Sequence, residues 1–229
     1  MGELGRPAVI ELVGPAGVGK TTLSQQLEAT GQARRGTIWL VPKPVLAYGT
    51  IRQLPAALTL YRETGKFLWN EIKHLARLDA LYTFLRTTHW NGTRLVALDE
   101  GPVYTLSSLQ VVGHRRFCYG PSAPFLQQTI QRWVPLLDAV VVLDAPDALL
   151  TSRIRSRTKP HLMKQRSALE ISAFLEAYRR VTERVLTEFS AAGGPPVVRL
   201  DCSDGTERLD ERVLEALGRQ RRERSPHAH

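Results

Sequence analysis

The sequence predicts an open, doubly wound α/β sheet of five parallel strands. Three observations carry this: short apolar runs recur along the whole chain, amphipathic helical patterns separate them, and a glycine-rich loop joins the first run to the first helix. Parallel strands need long crossovers, which helices fill. Strands covered on both faces read as near-continuous apolar runs rather than alternating ones.

The runs are Ala8 to Val13 (AVIELV), Thr37 to Val41 (TIWLV), Arg94 to Asp99 (RLVALD), Ala139 to Asp144 (AVVVLD) and Pro196 to Asp201 (PVVRLD). After the first run, Leu23 and Leu27 share a helix face that Gly31 ends. Ile72, Leu75, Ala76, Tyr82 and Leu85 follow the same rule before the third run, and Leu126, Ile130, Trp133 and Val134 before the fourth. Ile171, Phe174, Tyr178, Val181 and Val185 do so before the fifth. Each set recurs at the three-to-four-residue spacing of one buried helix face. The stretch PKPVLAYGTIRQLPAALTLYRETGKF, rich in proline and glycine, is the least regular and is expected to be a substrate-side insertion with some helix. No repeat or linker marks a boundary, so one domain is expected over residues 1–217, followed by a basic, disordered tail over 218–229.

Composition excludes several classes. Hydrophobic residues at 43% and charged residues at 23% suit a globular chain, and no apolar run nears the roughly 18 residues of a membrane span. The N-terminus lacks an apolar signal region, so a cytoplasmic protein with no membrane partner is expected. Cys118 and Cys202 form neither a disulfide framework nor a metal-ligand pattern. The net charge of +9 gathers in RIRSRTKPHLMKQR and in the tail, without the interleaved aromatics of single-strand binders; it favours anionic small molecules over nucleic acid.

The chemistry begins at Gly14-Pro15-Ala16-Gly17-Val18-Gly19-Lys20-Thr21-Thr22, which fits Gly, four residues, Gly-Lys-Thr. The glycines let the backbone turn its N–H groups inward, and the following helix points its positive end at the same phosphates. Lys20 is placed to reach the β and γ phosphates of ATP, and Thr21 to hold Mg²⁺. The pattern arises by chance on the order of once in a hundred chains this long, and the strand before it and helix after it lower that further. An Asn-Lys-x-Asp motif is absent, which excludes an ordinary GTPase switch; LSSLQ, the nearest stretch to a transporter signature, lacks its glycines.

Asp99 and Glu100 follow the third run, at a carboxyl strand end where a carboxylate can hold Mg²⁺ or take a proton from an attacking hydroxyl. Arg153 and Arg157 stand four residues apart, and with Lys159 they form Arg-Ile-x-x-Arg-x-Lys; at helical spacing the two arginines converge on one anion. Fixed cations of this kind stabilise a transferring phosphoryl group.

These motifs resemble those of the P-loop nucleoside and nucleotide kinases, above all the thymidylate kinase group and the deoxynucleoside kinases. GPAGVGKTT is similar to their phosphate loop, LDEGPVYTLSSLQ to the segment that begins Asp-Arg-Tyr or Glu-Arg-Ser, and RIRSRTK to their Arg-rich lid, here about residues 151–167. Arg77, in LARLDALY, falls near the arginine that contacts the acceptor in thymidylate kinases. The resemblance implies an ATP- and Mg²⁺-dependent kinase of a small molecule, a nucleotide or nucleoside first, with Thr21 and Asp99 on the metal, and it leaves a homodimer open. Lys43, Arg77 and Lys159 are then the acceptor-side cations.

Two departures bear on the acceptor. Where the family has Glu-Pro after its second strand this chain has Lys43-Pro44, and Glu100 replaces the arginine after the acidic residue. Lysine favours an anionic acceptor and the added carboxylate a hydroxyl or a cation. A non-nucleotide alcohol, such as an antibiotic or sugar, is the alternative acceptor, and a regulatory P-loop ATPase the alternative class. Whether Asp99 or Glu100 is the base stays open.

Overall fold

A computed structural model describes residues 6–114, 123–158, 160–203 and 209–224. Cys118, Lys159 and the last five residues, which figured in the sequence reading, lie outside them. The strands are β1 (Ala8–Val13), β2 (Arg34–Gly36), β3 (Leu95–Leu98), β4 (Ala139–Asp144) and β5 (Val197–Asp201). They form one sheet in the order β2-β3-β1-β4-β5, with every pair parallel. The chain crosses from one side of β1 to the other between β3 and β4, which puts a crevice above the carboxyl end of β1.

Helices cover both faces: α1 (Lys20–Ala29), α2 (Lys43–Arg52), α3 (Leu54–Thr64), α4 (Trp69–Thr87), α5 (Pro102–Val112), α6 (Ala123–Trp133), α7 (Asp147–Ser156), α8 (Ala168–Ala191) and α9 (Leu209–Arg224). Alternation along β1 divides the core. Val9 and Val13 face a cluster with Leu75, Leu106, Trp133 and Phe189; Ile10 and Leu12 face Leu23, Leu27, Leu150 and Val213. β1 is therefore covered on both sides, as its near-continuous apolar run requires. No helix among the described residues is long and apolar enough to cross a membrane.

The second strand differs from its expected place. The apolar run predicted as a strand from Thr37 to Val41 holds a 3₁₀ turn at Ile38–Leu40, with Trp39 84% exposed, while the strand is formed just before it by Arg34–Gly36. β2 is three residues long and only Gly36 of it is buried, so burial on both faces does not select its residues. The stretch expected to be least regular is mostly helix. Pro44 and Pro55 stand in the first turns of α2 and α3, where a missing N–H breaks no helical bond, and Gly65 ends α3 at φ 64°. At the other end of the chain, α9 runs through Arg224, so helical structure extends into the segment read as a tail from residue 218.

Candidate active site

The loop after β1 turns through positive φ at Gly14, Gly17 and Gly19. Gly14 also meets β4 closely, since a Cβ there would stand 2.2 Å from the Leu143 carbonyl oxygen. Val18 is fully buried in the core and anchors the loop, which leaves its neighbours to face outward. Helix α1 starts at Lys20 without a side-chain cap and without an acidic residue in its first turn. Its first N–H groups and positive dipole end are thus left for an anion.

Lys20 arches back over the loop: its Nζ donates to the Gly14 carbonyl at 2.5 Å and the Pro15 carbonyl at 3.2 Å, and stands 5.5 Å from the Tyr104 ring centre. Burial lowers its pKa to about 8, Arg157 pushes the same way, and Asp99, Glu100 and Glu11 oppose. A lysine crowded by a cation and held only by carbonyls suits an arriving phosphate.

A cavity of about 590 Å³ opens in front of this loop. Gly14, Gly17, Gly19, Lys20, Thr21 and Thr22 form its floor; Ala16 also lines it, whereas Pro15 faces a neighbouring cleft beside β4 and β5. Asp99 and Glu100 enter from the end of β3, with Tyr104 and Ser108 from α5 and His74 from α4. Arg153, Arg157 and His161 close the far side. Arg153 donates to the Gly17 carbonyl at 3.3 Å, and Arg157 caps the carboxyl end of α7. The two arginines therefore share the cavity although α7 stops between them. The start of α7 is pinned to α8, where Arg179 bridges Asp144 at 2.8 Å and Asp147 at 2.6 Å.

The two carboxylates have different surroundings. Asp99 is paired with Arg35 of β2 at 3.3 Å. Glu100 stands at the cavity mouth, where removal of water and then the adjacent Asp99 raise its pKa, against Arg77 and Lys20. Lys43, at the start of α2, is exposed and does not line the cavity. Arg77 acts on Glu100 electrostatically but lines a separate cleft of about 150 Å³ between α2 and α4.

Three groups near the site carry no motif in the sequence. Arg35 sits in the stretch ahead of the expected strand. Tyr104 lies inside LDEGPVY, where no spacing singles it out. Glu11 is the third: it is fully buried in β1, and the signal for it was a single charged residue inside an otherwise apolar run.

The residues fit nucleotide phosphates and magnesium in their chemistry. The loop amides and Lys20 suit the phosphates, while Thr21 and Asp99 offer oxygens on the same cavity. Among the described residues no group of three or more His, Cys, Asp or Glu side chains can hold a metal by itself, so magnesium would take the rest of its shell from phosphate and water.

No family model and no curated protein sequence matches the chain. Solved structures do. Deoxyadenosine kinase from M. mycoides with bound dATP superposes with a TM-score of 0.54 at 15% identity, over 92% of this chain and 99% of that one. The same kinase with bound dCTP gives 0.53 at 14% identity, over 92% and 98%. The form with the products dCMP and dCDP gives 0.53 at 15%, over 92% and 98%. The fold is that of the P-loop nucleoside kinases. At such identity the likeness extends to architecture, and the chemistry rests on the side chains above.

Proposed function

We propose that the chain is a kinase that transfers the γ-phosphoryl group of ATP to a hydroxyl of a small molecule, with a nucleoside as the favoured acceptor. The observation that carries this reading is the convergence of Lys20, Thr21, Asp99, Glu100, Arg153 and Arg157 on one cavity at the carboxyl end of the sheet. In this reading the kinase domain takes in α9 as far as Arg224, past the boundary expected at 217, and residues 151–167 are its lid.

Lys20 and the loop amides bind the β and γ phosphates and orient the γ-phosphorus toward the acceptor. Thr21 and Asp99 would hold Mg²⁺, which supplies neutralisation of phosphate charge. Glu100 accepts the proton of the acceptor hydroxyl as its oxygen bonds to phosphorus and the bond to the leaving ADP oxygen breaks. Its raised pKa makes it the better base of the pair, while Asp99 is occupied by Arg35. Arg157, facing Lys20 across the cavity, stabilises charge on the moving phosphoryl group, and Arg153 steadies the loop.

A nucleoside is preferred to a nucleotide because Lys43 and Arg77, two of the three cations expected to meet the acceptor, do not line the cavity. Arg77 remains the cation that would act on an acceptor from the α4 side. The nucleotides bound in the deoxyadenosine kinase structures support the same class. Release of ADP from Mg·ATP with a panel of deoxynucleosides, monophosphates and amino-alcohols tests it. Stimulation by a deoxynucleoside, with a phosphorylated product, is expected; turnover indifferent to every acceptor would instead mark a regulatory ATPase.

A further inference from the structure

Helix α5 has no cap of its own. Its N-cap position is Gly101, which has no side chain, and its first residue is Pro102, which has no N–H. The next two amides point toward β1, where Glu11 receives both: Tyr104 N donates to Oε1 at 2.7 Å and Val103 N to Oε2 at 3.0 Å. A carboxyl group from the neighbouring strand thus does what a Ser or Asp N-cap does locally. The fit admits nothing larger than glycine at 101, since a Cβ there would stand 2.6 Å from Glu11 Cδ.

The alternation of β1 shows why Glu11 is out of place as a packing residue. It shares its face with Val9 and Val13, within the cluster of Leu98, Val103 and Leu106. A valine would suit that face, and burying a carboxyl there is costly. What the carboxyl gains is a hold on Asp99 and Glu100, two of the three residues between β3 and α5, which line the cavity immediately before the capped turn.

We propose that Glu11 is a positioning residue: by capping α5 from β1 it fixes the direction in which Asp99 and Glu100 leave β3 and face the phosphate loop. This rests on the phosphotransfer reading for its consequence in turnover, but the cap itself does not. Glutamine cannot replace it, because its amide nitrogen would face one of the two N–H donors.

Three measurements on Glu11→Gln and on the double variant Glu11→Val/Gly101→Ser test the proposal. The double variant removes the carboxyl, frees space for a Cβ and supplies a local serine cap. Amide exchange at Val103 and Tyr104 should quicken in Glu11→Gln and recover in the double variant. Mn²⁺ binding in the presence of ADP should weaken roughly tenfold in Glu11→Gln, with metal-free ADP binding unchanged, and recover likewise. With Mg·ATP and deoxyadenosine, kcat should fall about tenfold or more at a KM for ATP within twofold of wild type, and return toward wild type in the double variant. Recovered amide protection without recovered Mn²⁺ binding or kcat would overturn the proposal, since Glu11 would then act by some route other than the cap. So would a wild-type Mn²⁺ affinity in Glu11→Gln once its amides exchange fast. A wild-type protein that phosphorylates no acceptor defeats the kinase reading alone, because the exchange and Mn²⁺ measurements still decide the cap.

Discussion

Arg35 at the sheet edge holds the Asp99 carboxylate at 3.3 Å, with both side chains largely withdrawn from water. That contact separates two neighbouring carboxylates that look alike in sequence. One is tied to a cation, and the other, Glu100, is left facing the cavity with a raised pKa. Different environments for two adjacent acids are how a single site assigns them different tasks.

The division of labour predicts distinct losses. Glu100→Gln should lower kcat by about 10²- to 10⁴-fold, the range typical for loss of a general base. The wild-type rate should rise with pH through a limb on the acid side, because the base must be ionised, and the variant should lack that limb. Asp99→Asn should instead raise the Mg²⁺ concentration needed for half-maximal rate. Initial rates over pH and Mg²⁺ concentration check both; a larger Mg²⁺ defect in Glu100→Gln would reverse the assignment.

Lys20→Ala should leave the fold intact and weaken ATP binding severely. Nothing in the core rests on Lys20, whose amine bonds only loop carbonyls. Circular dichroism with ATP titration calorimetry reads the two effects separately, and near-normal affinity would remove the loop from the account.

Arg157 and Arg153 should part company. Arg157→Gln should lower kcat more than it raises the KM for ATP, since a cation that meets the moving phosphoryl group stabilises the transition state preferentially. Arg153→Gln, which loses a bond to the Gly17 carbonyl, should disturb ATP binding as well. Steady-state kinetics of both variants decide this, and an unchanged kcat in Arg157→Gln would make the lid a solvated basic helix.

Glu11 carries a prediction for stability. Burial raises its pKa from 4.5 to about 8, against the pull of the Tyr104 and Val103 amides and Lys20. Between those two values the native state keeps a proton that the unfolded chain releases, so stability should fall as pH rises from about 4.5 to about 8 and level off beyond. At roughly 1.4 kcal/mol per pH unit, the slope amounts to a few kcal/mol over that window. Glu11→Gln should lose that slope. Denaturant unfolding of both proteins at several pH values checks it; parallel curves would mean that Glu11 is ionised throughout.

The strands that a doubly covered sheet forces to be apolar were legible in the sequence, and so was the phosphate loop, whose glycines and lysine are dictated by backbone geometry. The edge strand β2 was not, because Arg34–Gly36 is only three residues long, carries two arginines and buries Gly36 alone, whereas β5 at the other edge keeps an apolar run. Helices α2 and α3 were hidden by prolines that sit where helices tolerate them. In the site, Asp99, Glu100, Arg153 and Arg157 follow strand ends or a helical spacing and could be placed. The roles of Arg35 and Glu11 depend on contacts across 64 and 92 residues, which no local pattern announces.

Transfer of labelled phosphate from γ-labelled ATP to a deoxynucleoside, by wild type and by Glu100→Gln side by side, tests the central claim most directly. The account predicts a labelled deoxynucleoside monophosphate from wild type and at least a hundredfold less from the variant, with ATP still bound by both. Label released only as inorganic phosphate, at a rate that no acceptor changes, would contradict it.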